Sequence, residues 1–142
     1  MGESTIGSPF SLRMSEINAN DLKGKTGLTR LINATHYSYD GIRAALKSEE
    51  AFREEALLAL ILIPVSFFLP VDLALRLLCL FSVFLVLIVE LLNSGIEAAI
   101  DRIGPEIHPK SKFAKDLGSA AVLFSLTLCA LVWISVLFTI FF

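Results

Sequence analysis

Three stretches of the chain, residues 56–71, 77–89 and 117–142, carry no charged side chain. A helix that crosses a bilayer needs about 20 mostly apolar residues. Residues 117–141 meet that requirement alone. Residues 52–71 meet it once the run is extended back to Phe52, with a kink at Pro64. A third segment, 73–100, contains Arg76, Glu90 and Glu97 and is therefore not a plain lipid-facing helix. Ahead of these spans, Leu28, Leu31, Ile32, Thr35, Tyr39, Ile42 and Leu46 recur at spacings of three and four, with Arg30, Asn33, Tyr37, Asp40, Arg43 and Lys47 between them. That period predicts an amphipathic helix over about 27–48, lying along a membrane interface. Residues 1–22 are polar and aperiodic, and a mobile extension is expected there. The expected architecture is an all-α membrane protein, one interfacial helix and three spans, with residues 23–142 forming a single domain.

Composition agrees. Of 142 residues, 55% are hydrophobic and 18% charged, and mean hydropathy is +0.72. Soluble domains average about 45–50% apolar and about 25% charged, so a soluble enzyme around one buried core is excluded. The net charge of -2 gives no basic excess for nucleic acid. Cys79 and Cys129 lie in apolar runs and read as small buried hydrophobes with free thiols. Basic residues cluster before the first span (Lys23, Lys25, Arg30, Arg43, Lys47, Arg53) and between the second and third (Arg102, Lys110, Lys112, Lys115), with only Arg76 between the first and second. The positive-inside rule then puts the amino terminus in the cytoplasm and the carboxyl terminus outside.

At about 100° per residue, Glu90, Asn93, Ser94, Glu97 and Asp101 share one stripe of the second span. With Asp101 at the inner interface, Glu90 lies about 16 Å deeper, near mid-bilayer. Carboxylates at such depth are expensive and point to function; the alternative is a polar seam that glues helices, a task small residues perform alone. A deep carboxylate suits a general base acting on a group that is itself in the membrane. A shallower one suits Mg²⁺, which takes oxygen ligands and shares them with phosphates. That arrangement joins a lipid hydroxyl to a cytoplasmic phosphate donor. Gly24-Lys25-Thr26 has the ending of a phosphate-binding loop, but Ala19 stands where its first glycine is needed.

The string IVELLNSGIEAAIDRIG at 88–104 resembles the signature of the bacterial integral-membrane diacylglycerol kinases, as do GIRAA at 41–45, EEAFR at 49–53 and AKDLGSAAV at 114–122. The resemblance runs in order from about Thr26 to the end. It implies an ATP-dependent phosphorylation of diacylglycerol to phosphatidic acid at the bacterial inner membrane, by a homotrimer whose sites are shared between subunits. It implies Glu90 as catalytic base, and Glu49 and Glu97 as ligands of the Mg²⁺ of Mg-ATP. It also implies Arg30, Tyr37, Glu106, His108, Lys115 and Asp116 near the nucleotide, and Arg30, Arg43, Asn93, Ser119 and Trp133 near the lipid. The sequence departs from the family at Asn33 and Asp40, where relatives are commonly basic, and at Ile107, which replaces a tyrosine; Glu50 beside Glu49 leaves the metal ligand open between the two. Two other readings stand beside this one: an undecaprenol kinase of the same fold, and a non-enzymatic bundle whose acidic stripe lines a pore.

Overall fold

The computed structural model describes residues 27–104 and 108–142, and every regular element in them is helical. The order is α1 (Leu28–Ser48), α2 (Glu50–Phe68), α3 (Leu73–Ile103) and α4 (Pro109–Phe141). The expected extension over residues 1–22 and the expected nucleotide residue Glu106 lie outside the described residues. The chain divides into two units, residues 1–40 and 41–142, with the break inside α1.

In the first unit, Gly27 opens α1 with φ +71°, a conformation that favours glycine. Its carbonyl accepts from Arg30 N at 3.1 Å and Leu31 N at 3.3 Å. Thr35 and Ser38 turn their hydroxyls back onto the carbonyls of Leu31 and Ala34. Leu28, Leu31 and Tyr39 are exposed.

In the second unit the remaining turns of α1 lead through Glu49 into α2. Arg53 reaches back from α2 and donates Nη1 to the carbonyls of Lys47 at 3.2 Å and Leu46 at 3.5 Å. A cation at a helix carboxyl end satisfies orphan carbonyls and complements the dipole. α2 runs through Pro64 without ending. It stops at Leu69, before Pro70. Asp72 then caps α3, accepting from Leu75 N at 2.8 Å. Arg76 lies one turn inside α3 and donates Nη2 to Leu69 O at 3.2 Å and Val71 O at 3.4 Å. The charge in the apolar run is thereby explained: it holds the α2–α3 turn together rather than facing lipid.

Two helices, α3 and α4, are long and apolar enough to cross a membrane. At 1.5 Å per residue their 31 and 33 residues are longer than the roughly 30 Å hydrocarbon layer. α2 has 19 residues and carries Glu50, Arg53, Glu54 and Glu55 in its first two turns. α4 begins eight residues ahead of the expected span, which started at 117. Pro109 occupies the first turn and His108 Nδ1 caps it by accepting from Lys110 N at 3.2 Å. Helical structure continues into water wherever a cap and good helix formers allow it, so the helix outruns its apolar part.

α3 packs against both α2 and α4. Its core is Ala59, Cys79, Val83, Val86, Cys129, Trp133 and Val136. The opposite faces leave Phe81, Leu92, Phe124 and Ile134 exposed. A soluble monomer rarely exposes so much contiguous apolar surface, and such surface marks a lipid or partner face. Gly104 ends α3 at φ +152°, a conformation an L side chain rarely adopts.

Candidate active site

The polar stripe faces the interior of the second unit. Glu90 is 4% exposed and Asn93 9%. Glu97 is half-buried and Asp101 exposed. Burial thus falls off along α3 from Glu90 to Asp101. Neither ion pair among the described residues involves Glu90. The charges that act on it are other carboxylates, those of Glu97 and Glu49, and Glu90 acts in turn on Glu55.

α4 supplies the facing wall. Ser82 Oγ, which donates to Cys79 O at 2.8 Å, lies 3.6 Å from Cys129 Sγ. Asn93 lies against Gly118. Lys115 Nζ pairs with Asp101 Oδ1 at 2.6 Å. Ser82 to Asn93 and Gly118 to Cys129 are equal steps along the two helices, so one antiparallel register holds across the contact. Asn93 Nδ2 donates to Glu97 Oε1 at 3.2 Å, one turn along the same helix. Its amide is therefore tied to the shallow carboxylate rather than to Glu90.

The remaining candidates are dispersed. Glu49 is half-buried at the start of α2, where Ser48 Oγ donates to its Oε1 at 3.1 Å. Glu50 is exposed, which favours Glu49 as the inward acid of the two. Lys115 is already engaged by Asp101, and Asp116 accepts from Lys112 at 2.5 Å. His108 is occupied at Nδ1 as a helix cap. Arg43 and Ser119 are exposed, and Trp133 is buried in the core. Arg30 and Tyr37 belong to the first unit and are exposed on α1.

One acid escaped the sequence reading. Glu55 closes the charged run ahead of α2's apolar stretch, yet it is 9% exposed and its Oε2 has no hydrogen-bond partner. It lines a cavity of about 370 Å³ among α2, α3 and α4, whose other walls are apolar and include Ala59, Val86, Cys129 and Trp133. The indole Nε1 of Trp133 is also buried without a partner. The available signal was position: Glu55 is the last charge before sixteen uncharged, mostly apolar residues, so of that run it lies deepest in the bundle.

A buried acid, a cavity one turn along from it and a row of polar groups leading to the Asp101 end of α3 are parts that a membrane-embedded transferase can use. The model of the prokaryotic diacylglycerol kinases matches residues 36–137. A diacylglycerol kinase of Pseudomonas aeruginosa is 49% identical over 121 residues, covering 85% of this chain and 98% of that protein. One from Haemophilus influenzae is 50% identical over 113 residues, 80% of this chain and 96% of that protein. The Escherichia coli K12 diacylglycerol kinase is 47% identical over 116 residues, 82% and 95% of the two chains. The chain belongs to the prokaryotic diacylglycerol kinase family.

Proposed function

We propose that this enzyme transfers the γ-phosphoryl group of ATP to the free hydroxyl of diacylglycerol in the bacterial inner membrane. The observation that carries the reading is Glu90: a carboxylate 4% exposed inside the α2–α3–α4 bundle, one helical turn from Val86 on the wall of the cavity. Glu90 accepts the proton of the lipid hydroxyl as its oxygen attacks the γ-phosphorus. The bond to the β-phosphate oxygen breaks, ADP leaves, and the product is phosphatidic acid. The cavity that Glu55 and Trp133 line receives the apolar part of the lipid, and Arg30, Arg43, Asn93 and Ser119 serve the lipid side of the reaction.

Carboxylate oxygens are the donors that Mg²⁺ prefers, with few from protein and the rest from phosphates. Glu97 and Glu49, both half-buried carboxylates, would supply such donors. Mg²⁺ bound there with ATP would neutralise charge on the moving phosphoryl group. Lys115 and Arg30 steady the phosphates, and Tyr37, Glu106, His108 and Asp116 border the nucleotide. The protein works as a homotrimer with three spans per chain, α1 along the inner interface, the amino terminus inside and the carboxyl terminus outside.

The test is phosphorylation of diacylglycerol by purified protein in mixed micelles, with undecaprenol assayed beside it. Lipid-dependent ATP consumption that is greater with diacylglycerol supports the proposal. A preference for undecaprenol would replace the substrate, and ATP consumption that ignores lipid would end the reading.

A further inference from the structure

Among the described glycines, four have open space where a side chain would project, and Gly118 does not. A Cβ placed on Gly118 would run into Asn93 Oδ1 and stand 3.2 Å from Asn93 Cγ. The amide of α3 therefore occupies the volume that any other residue of α4 would fill at this position. Asn93 is 9% exposed, and its Oδ1 is buried without a hydrogen-bond partner. The other end of the same amide donates to Glu97 Oε1. An amide has two ends of opposite polarity. Turning it over would place its oxygen against the Glu97 carboxylate, so the carboxylate fixes which end faces Gly118.

We propose that Gly118 is a positioning residue for the nucleotide site: by lacking a side chain it seats the Asn93 amide, and the seated amide holds the Glu97 carboxylate in the orientation that receives the metal-bound nucleotide. The proposal rests on the assignment of Glu97 to Mg-ATP. Any side chain at 118 displaces the amide from α4, and the hydrogen bond that Glu97 Oε1 accepts from it is lost. The consequence that tests the proposal falls on nucleotide affinity.

Gly118→Ala, Asn93→Ala, the double variant and Glu97→Ala are compared in the full chain, in micelles containing diacylglycerol. Binding of a magnesium-loaded, non-hydrolysable ATP analogue is read by calorimetry without turnover. Gly118→Ala is expected to weaken analogue binding and raise the KM for Mg-ATP by about tenfold, the order of one hydrogen bond to a charged group. In the double variant the side chain at 118 meets no amide, so its affinity equals that of Asn93→Ala alone. This variant also relieves the clash if the single one folds poorly. Gly95→Ala, in open space on α3, keeps parental binding. Parental binding in Gly118→Ala, penalties that add in the double variant, or the same loss in Gly95→Ala would each overturn the proposal. If Glu97→Ala binds the analogue as the parent does, the assignment of Glu97 itself falls, and that outcome is separate from the others.

Discussion

The two halves of the α2–α3–α4 bundle, the inner and outer ones in the orientation proposed above, with Glu90 to Asp101 in the inner half and the α2–α3 turn in the outer, bury polar groups in different ways. In the outer half and middle, Ser66, Ser82 and Ser125 are almost fully buried, and each returns its hydroxyl to a carbonyl three residues back, at 2.7–2.8 Å. Such groups are satisfied by their own helix and ask nothing of a ligand. In the inner half, Glu55 Oε2, Asn93 Oδ1 and Ser94 Oγ are buried without partners, and Glu90 sits among like charges. An unsatisfied buried group is costly, and where it persists a ligand, ion or reaction usually accounts for it. The outer half has two exceptions among the described residues: Arg76 Nε, whose guanidinium is otherwise engaged at the α2–α3 turn, and Trp133 Nε1, which lines the cavity that Glu55 also lines. One half is built to be stable and the other to be completed by something it binds.

The largest test of that division is Glu90→Gln. The neutral amide keeps the shape and removes the base. General-base catalysis contributes about 10²–10⁴-fold, and turnover should fall on that scale while the Mg-ATP analogue still binds. Thermal stability in detergent should hold or rise, because a buried charge is gone. Full turnover would remove Glu90 from the chemistry and with it the distinction between the two halves.

Much of the inner half was legible in the sequence because it depends on a period. Glu90, Asn93, Glu97 and Asp101 fall on one face of any α-helix, whatever packs against it. The all-α class followed from the same arithmetic. What was not legible depends on register between helices. Glu55 belongs to a charged run, and only the packing of α2 on α3 decides that it lies deepest of that run. Asn93 reads as a neighbour of Glu90 or of Glu97 equally well, and the rotamer that selects Glu97 is set by Gly118 on another helix. Arg76 resembled a charge inside a span until the α2–α3 turn brought the carbonyls of Leu69 and Val71 within its reach.

The outer half should answer to packing. Val136 is 2% exposed in the core, and Val136→Ala leaves a cavity that costs about 1–3 kcal/mol. The thermal midpoint should drop while kcat and both KM values stay as in the parent. A kinetic defect without loss of stability would show that the outer half also shapes the site. Ser82→Ala is a milder version. The lost hydrogen bond is worth about 0.5–1.5 kcal/mol, and its acceptor, Cys79 O, belongs to the helix backbone, so a small decrease in the midpoint with unchanged kinetics is expected.

The smallest effect on stability should come from the inner end itself, at Asp101. Its pair with Lys115 is the only contact between charged groups of α3 and α4 among the described residues, yet Asp101 is 66% exposed and Lys115 36%. Exposed pairs gain little because water screens the attraction and two long side chains lose freedom. Asp101→Asn should therefore move the midpoint less than Ser82→Ala does, and the difference should vanish at high salt, where the Debye length shrinks to about 3 Å. The nucleotide site should respond more than the fold. Releasing Lys115 from Asp101 frees its ammonium for phosphate, so the KM for Mg-ATP should stay level or fall at low salt. A rise instead would mean that Asp101 holds Lys115 in the place where the phosphates need it, and the ion pair would then belong to the machinery of the inner half rather than to its surface.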